Sequence, residues 1–353
     1  MAEKILMKGN EALAEAAIMA GCRHYFGYPI TPQTEVAAYM AKRMPKIGGC
    51  FLQAESEIAA INMCIGAAAA GKRAMTSSSS PGISLKSEGI SYMAGCDLPA
   101  LIVNVQRGGP GLGGIQPSQS DYFQATRGGG HGDYHLLVLA PSSVQEMADL
   151  VATGFDLAEK YRMPCMLLAD GTMGQMMEPV TLTERKEEPI EKPWALTGTA
   201  NSRKPNIINS LALEPQELEK WNEERFKRYD TVRETEQRSE SYRMEDAEIC
   251  VVAFGIAARV SQNAVDEARK KGVKAGLIRP VTLWPFPEKA LKAAAAQCKS
   301  FISVELNMGQ MIEDVRLAIE CSRPVSLCCR TGGMIPSPDE VLAAIERAAE
   351  GGK

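Results

Sequence analysis

Two rhythms of apolar and polar positions alternate along this chain. Short, nearly continuous apolar runs (HYFGYP at 24–29, PALIVNVQ at 99–106, HLLVLAP at 135–141, PCMLLAD at 164–170) are separated by longer stretches with helical spacing. Runs of that length suit parallel strands covered on both faces. A first helix is predicted over 10–20, stopped by Gly21. Thr31-Pro32 predicts the next start, a hydroxyl N-cap with proline at the first helical position, and QTEVAAYMAKRM forms its body. Residues 55–70 predict a helix of small residues closed by Gly71, and 143–161 a further helix. RAMTSSSS at 73–80 predicts a strand that runs into a polar loop. Strand–helix alternation of this kind implies a doubly wound α/β sheet.

The rhythm breaks after about residue 185, where both signs of charge become dense. Leu218, Trp221, Phe226 and Tyr229 form a sparse apolar set at near-helical spacing. They predict a connecting helix, either laid on a neighbour such as another subunit or standing solvated. A second α/β pattern starts at Glu248 with strands EICVVAFG, VKAGLIRP, SFISVEL and VSLCCR and helices between them. A last helix is predicted behind Ser337 as N-cap and Pro338 at its first position. The expected division is 1–185, a charged linker at 186–247, and 248–353, and 353 residues suit two domains.

Composition narrows the function. A net charge of −4 leaves no basic footprint, which argues against nucleic acid. No run of 18 apolar residues predicts a membrane span. The start MAEKILMKGNEALAEAA lacks the apolar core of a secretory signal, so the expected location is the cytoplasm. The ten cysteines are then expected to be reduced and mostly small buried hydrophobes. None are spaced C-x-x-C, so neither a zinc ribbon nor a local iron–sulfur motif is predicted.

Few segments carry candidate chemistry. Gly109, Gly111 and Gly114 fit G-x-G-x-x-G after a strand, but IQPSQSD follows where a dinucleotide site needs a helix. A ligand-binding loop at a strand's carboxyl end is the better reading. Arg107 stands at that end, where its guanidinium fork suits an anionic ligand or else a surface carboxylate. Thr31 is expected to cap a helix whose N-terminus also attracts anions. Glu55 and Glu57 open a helix of Ala, Ile, Met and Gly. Acidic residues in a first turn are favoured by the helix dipole, yet a carboxylate held against such a face is desolvated and disposed to proton transfer. His131 and His135 lie beside glycines, which argues against a helical metal pair and leaves His131 as a loop candidate. The Ser77–Ser80 run lacks the context of a serine nucleophile.

Several of these residues recur together in one known family. Gly27-Tyr28-Pro29-Ile30-Thr31-Pro32, Gln53-Ala-Glu-Ser-Glu57, Thr76-Ser-Ser-Ser-Ser-Pro-Gly82 and Asn104-Val-Gln-Arg-Gly-Gly-Pro110 appear in order, followed by Gln116-Pro-Ser-Gln-Ser-Asp121 and His131-Gly-Asp133. This resembles the alpha subunit of the 2-oxoacid:ferredoxin oxidoreductases, most of all the branched-chain (3-methyl-2-oxobutanoate) type. Arg279-Pro-Val-Thr-Leu-Trp-Pro-Phe-Pro287 resembles that family's second domain, which is similar to the C-terminal domain of transketolase. The resemblance implies a pyrimidine-type thiamine diphosphate domain. Glu57 would contact the pyrimidine ring and promote its imino tautomer, with Pro29 and Ile30 beside it. Tyr28, Thr31, Arg107 and His131 would meet the substrate, with Thr31 and Arg107 at its carboxylate side. A beta subunit would supply the diphosphate site, Mg²⁺ and an iron–sulfur cluster, with gamma and delta subunits, ferredoxin and coenzyme A completing the system. The diphosphate motif G-D-G…N has only a poor counterpart in Ala169-Asp170-Gly171 and Asn201. This chain is therefore expected to hold half of the cofactor site. Other readings are 2-oxoglutarate or pyruvate as substrate, the beta-type subunit of a lipoamide-linked dehydrogenase, and a scaffold that binds a partner and an anion without chemistry.

Overall fold

The computed structural model describes residues 4–183 and 190–351, and the charged run expected at 184–189 lies outside them. The chain begins β1 (Ile5–Lys8), α1 (Gly9–Met19), β2 (His24–Gly27), α2 (Thr34–Arg43), β3 (Cys50–Gln53), α3 (Glu57–Ala69), β4 (Ala74–Ser78), α4 (Ser80–Gly95) and β5 (Leu101–Gln106). It continues with α5 (Tyr122–Thr126), β6 (Leu137–Leu139), α6 (Val144–Tyr161), β7 (Cys165–Asp170), α7 (Gly171–Gln175), β8 (Met177–Val180) and α8 (Pro215–Thr235). These precede β9 (Ser239–Tyr242), β10 (Ile249–Val252), α9 (Gly255–Lys270), β11 (Ala275–Pro280), β12 (Thr282–Trp284), α10 (Glu288–Gln297), β13 (Ser300–Glu305), α11 (Met311–Ala318), β14 (Val325–Cys329) and α12 (Pro338–Ala349).

The α/β class expected from the apolar runs is the class observed. The larger sheet has the order β12-β6-β7-β5-β4-β2-β3, and its strands are parallel except for β12. Every residue of β5 and β7 is buried, as continuous apolar runs require in the middle of a doubly covered sheet. The second sheet, β14-β13-β10-β11-β9, is parallel apart from the edge strand β9. The expected linker thus ends in a strand of the second sheet. Serine side chains cap α3, α6 and α12, and Ser337 with Glu340 forms a reciprocal capping box. No helix among the described residues is long and apolar enough to cross a membrane.

Two expectations fail for identifiable reasons. The polar loop expected after RAMTSSSS is the sixteen-residue helix α4. Serine, proline and glycine read as turn residues, yet Pro81 lies in a first turn, where proline costs no hydrogen bond. The connecting helix α8 docks on its own chain. Tyr229 and Val232 are fully buried, and Arg225 donates to the Gly95 carbonyl oxygen (3.0 Å).

The two units interlock. β12 leaves the second unit and pairs antiparallel with β6 at the first sheet's edge. The expected turn IQPSQSD is a seam. The Gln119 side chain accepts from the Leu306 amide (3.1 Å) and donates to the Phe254 carbonyl oxygen (2.9 Å). Tyr122 donates to Asp314 (2.6 Å), and Gln310 accepts from the Phe123 amide (2.8 Å).

Candidate active site

In open parallel sheets, ligands bind outside the carboxyl ends of the strands. β2, β4 and β5 stand side by side here, and each delivers polar residues to that edge. The segment Tyr28–Thr31 follows β2, Ser79 and Ser80 follow β4, and Arg107 follows β5. A hydrogen-bonded chain fixes the first of these to the sheet. Tyr25 and Ser77 share a bond (2.7 Å), Ser77 donates to Gln33 (2.6 Å), and Gln33 donates to the Tyr28 carbonyl oxygen (3.3 Å). Tyr28 and Pro29 remain exposed at the rim, with Ile30 half-buried behind them.

Glu57 occupies the first turn of α3, next to the N-cap Ser56, whose hydroxyl accepts from the Ala59 amide. It is buried, whereas Glu55 is exposed before the helix begins. Its carboxylate rests against the start of α4. A Cβ added at Gly82 would lie 2.7 Å from Glu57 Oε1 and 2.1 Å from Ser78 Oγ. Glycine is therefore required at 82 by close approach and not by backbone conformation.

Arg107 is also buried. Nη1 donates to the Thr31 carbonyl oxygen (3.0 Å), and its amide donates to Ser80 Oγ (3.0 Å). Ser80 and Asn104 both donate to Asp121 (2.6 and 2.9 Å). Burial pushes the Asp121 carboxyl up, and these two hydrogen bonds oppose that effect. The glycine loop folds back on itself: the Gly114 amide donates to the Gly108 carbonyl oxygen, and the Gly108 amide to that of Gln116. Gly113 has φ +53, and a Cβ there would lie 2.0 Å from the Gly108 oxygen. Leu112 and Ile115 are left exposed on this loop.

Thr31 and His131 depart from expectation. Thr31 does not cap α2, whose N-cap is Gln33. The chain first turns at Ile30–Gln33, closed by the Gln33 amide on the Ile30 carbonyl oxygen (3.1 Å). Thr31 thus keeps its hydroxyl off the helix and uses its carbonyl to hold Arg107. His131 does not join the crevice. Its carbonyl accepts from Ser91 (2.6 Å), and its ring meets Tyr92 edge-on. Ser91 is eleven residues beyond Ser80 along α4, about 16 Å at the rise of a helix. Pro29, Ile30, Thr31 and Arg107 gather with the Glu57 side of the same strand ends, and His131 stands apart.

Buried polar groups normally find partners. At this edge Ser78 Oγ, Ser79 Oγ, Asn104 Oδ1 and Arg107 Nε are buried without one among the described residues. Unpartnered donors and acceptors at the strand ends beside a buried carboxylate fit a ligand that has a nitrogen-rich ring at one end and an anion nearby. The sequence reading missed Ser78, Ser79, Asn104 and Gln33. Ser78, Ser79 and Asn104 lay inside the recurring motifs without a role of their own, and Gln33 gave no signal before the turn that ends in it. Asp170, the acid of the poor diphosphate motif, instead caps α7 through the Thr172 and Met173 amides (2.8 and 3.1 Å), and Asn201 stands in the turn after Thr199.

Comparison with known proteins shows the family. The family described as "Pyruvate flavodoxin/ferredoxin oxidoreductase, thiamine diP-bdg" matches residues 15–245, and "Pyruvate:ferredoxin oxidoreductase core domain II" matches 247–341. The ketoisovalerate oxidoreductase subunit VorB of Methanothermobacter marburgensis is 50% identical, over 98% of this chain and 97% of its own. The 2-oxoglutarate:ferredoxin oxidoreductase of Magnetococcus marinus, solved with 2-oxoglutarate, coenzyme A and succinyl-CoA, superposes with a TM-score of 0.86 at 30% identity. The match covers 98% of this chain and 65% of that one. A split-gene transketolase shares the fold alone, with a TM-score of 0.62 at 13% identity over 98% of both chains. The apolar rhythm, the strand-end crevice and these matches agree that the chain belongs to the 2-oxoacid:ferredoxin oxidoreductase family and contains its thiamine-diphosphate-binding domain.

Proposed function

We propose that this chain holds the aminopyrimidine end of thiamine diphosphate against Glu57 and the carboxylate of a branched 2-oxoacid against Arg107. Pro29 and Ile30 line the ring, and Tyr28 and Thr31 lie at the substrate side. The observation that carries this reading is Arg107: a buried guanidinium with Nε unpartnered, held by the Thr31 carbonyl at the mouth of the crevice. An Arg fork of this kind suits a planar carboxylate. When bound, thiamine diphosphate supplies the nucleophilic carbon and the electron sink of 2-oxoacid decarboxylation. This chain's residues orient the ligands, exclude water and move a proton at the Glu57 carboxylate. The diphosphate site, Mg²⁺ and an iron–sulfur cluster belong to a partner subunit. That partner docks on the α3/α4 face, where Ile58, Leu85 and Tyr92 are about half exposed and Ile58 directly follows Glu57. Coenzyme A takes the acyl group and ferredoxin the electrons.

The name of the 50% identical relative favours ketoisovalerate, and the exposed Leu112 and Ile115 suit a branched side chain. A pocket separates substrates that differ by one methylene by about 1–3 kcal/mol, so selectivity is expected to be a ratio and not an exclusion. The test is a substrate panel on the assembled complex, following coenzyme A-dependent ferredoxin reduction. The expected order is 2-oxoisovalerate above 2-oxoglutarate and pyruvate in kcat/KM. A preference for either of the others reassigns the side chain. Absence of thiamine-dependent decarboxylation overturns the function.

A further inference from the structure

Lys86 lies inside α4 and its side chain is fully buried. Lysine is almost never fully buried unless it is paired. Its ammonium donates to Thr76 Oγ1 (2.5 Å) and to the Ser77 carbonyl oxygen (3.2 Å), both neutral, and a third N–H remains. Among the described residues it makes no ion pair within 4.0 Å, so its countercharge must be found one shell further out.

The helix itself shows where. Gly82 and Lys86 are four residues apart on α4, so they share one face. Helical side chains lean toward the N-terminus, which carries the Lys86 stem back toward Gly82. Gly82 is the position against which the Glu57 carboxylate rests. The titratable groups that face Lys86 are Glu57 and Cys64 of α3, with Cys22 behind Cys64 and Tyr25 behind Ser77. Burial pushes both cysteine thiols up to about 12 and pushes the Tyr25 phenol up as well. All three stay neutral at ordinary pH, and Glu57 is the one carboxyl group among those that face Lys86.

A methionine would fill this volume without the desolvation penalty of an ammonium, and such replacements are often neutral or stabilising. Packing therefore gives no reason for a charge here, and the neighbouring carboxylate does. We propose that Lys86 is a positioning residue whose buried ammonium is the countercharge of Glu57, holding that carboxylate at the strand-end crevice for proton exchange with the cofactor's pyrimidine. The pairing with Glu57 rests on the face of α4 that Gly82 and Lys86 share and on the raising effect of Glu57 on the Lys86 ammonium, and its catalytic purpose rests on the function proposed above. Burial lowers the Lys86 ammonium to about 8, against the raising effects of Cys64 and Glu57, so its charge is lost within an accessible pH range.

The test is a double-mutant cycle on the cofactor-free protein: Lys86→Met, Glu57→Gln and the pair, read as thermal midpoints at pH 7. If the charges are coupled, Lys86→Met lowers the midpoint by roughly 2–4 °C in the native background and leaves it level or raised in Glu57→Gln. An equal shift in both backgrounds overturns the pairing. The second reading is the pH profile of kcat/KM in the complex. The native protein is expected to lose activity above about pH 8, Lys86→Met to lack that limb at a lower plateau, and Lys86→Arg to keep the plateau with the limb moved to higher pH. The Arg variant keeps the charge, so it carries the test if the Met variant does not fold, and an unmoved limb in Lys86→Arg overturns the proposal. Coupling in the apoprotein alongside an active Glu57→Ala enzyme would refute the proposed function but not the pair. No coupling alongside an inactive Glu57→Ala enzyme would do the reverse.

Discussion

Arg107 and Arg279 are both buried and both stand at the carboxyl end of a parallel strand, but their guanidinium groups are furnished in opposite ways. Arg279, at the end of β11, is 2% exposed and donates to Glu146 (2.7 Å), Glu240 (2.8 Å) and the Ala140 carbonyl oxygen (3.4 Å). Arg107 is 8% exposed, donates from Nη1 to one backbone carbonyl, and keeps Nε unpartnered. The first is saturated by its own chain and locks the second unit to α6. The second is held in place and left with donors to spare. Burial and residue type are the same in both, so what separates a structural arginine from a binding one is how much of its hydrogen-bonding capacity the fold has consumed.

The comparison extends to whole regions. At the seam, Gln119, Tyr122, Asp314 and Glu305 are all engaged, and the Glu305 carboxylate accepts the amides of Gln310, Met311 and Ile312. At the strand-end crevice, four buried polar atoms lack partners among the described residues. Substitutions at the seam should therefore act through stability, and those at the crevice through turnover.

The largest separation is expected at Glu57. Glu57→Ala in the assembled complex lowers kcat by roughly 10²–10⁴, the range for a lost acid–base group, with little change in unfolding midpoint. Near-native turnover would place the proton transfer elsewhere. Arg279→Met comes next. It strands the Glu146 carboxylate and costs about 3–5 kcal/mol in urea unfolding, while the folded fraction keeps its kcat/KM. A loss under 1 kcal/mol would break the contrast. Arg107→Met should do the opposite: kcat/KM for the 2-oxoacid falls by about 1.5–3 kcal/mol of transition-state binding, while cofactor binding and stability hold. An unchanged kcat/KM would make Arg107 a second Arg279.

The smallest effect is a pH dependence at the seam. His135 stacks on Trp284 and meets Tyr229 edge-on. Burial, aided by the Arg233 guanidinium, lowers it from 6.5 to about 4. A depressed histidine binds fewer protons folded than unfolded, so its contribution is complete above about 6.5 and is lost as pH falls toward 4. Asp170, which burial raises to about 6, works against it, since its contribution is lost as pH rises from 3.8 through 6. His135→Phe should flatten the acid-side fall of the midpoint, and an unchanged fall would assign that limb to other groups.

Glu57 and Arg107 were legible as candidates in the sequence because local rules reach them: a carboxylate at the start of a small-residue helix, and a guanidinium at the end of an apolar strand. Thr31 was legible as a candidate but not as the carbonyl that accepts from Arg107, because a hydroxyl before proline looks like a cap and the turn at Ile30–Gln33 leaves no local trace. The helix α4 was hidden by its own first turn, where Ser80, Pro81 and Gly82 mimic a loop. Gly82 is explained by Ser78 and by Glu57, and the latter lies twenty-five positions earlier in the chain. Lys86 disappeared with that helix. β12 was lost because a three-residue strand has no periodicity to read. His131 was drawn into the site by its motif, and the length of α4 removed it.

The central claim is that this chain carries half of a cofactor site, with the pyrimidine and substrate ends here and the diphosphate end on a partner. Titration of thiamine diphosphate with Mg²⁺ into this chain alone and into the partner-containing complex, followed by calorimetry and by CO₂ release from 2-oxoisovalerate, tests it most directly. The expected result is saturable binding and decarboxylation in the complex, with neither tight binding nor CO₂ from the isolated chain. Tight, Mg²⁺-dependent binding with turnover by the isolated chain would contradict it.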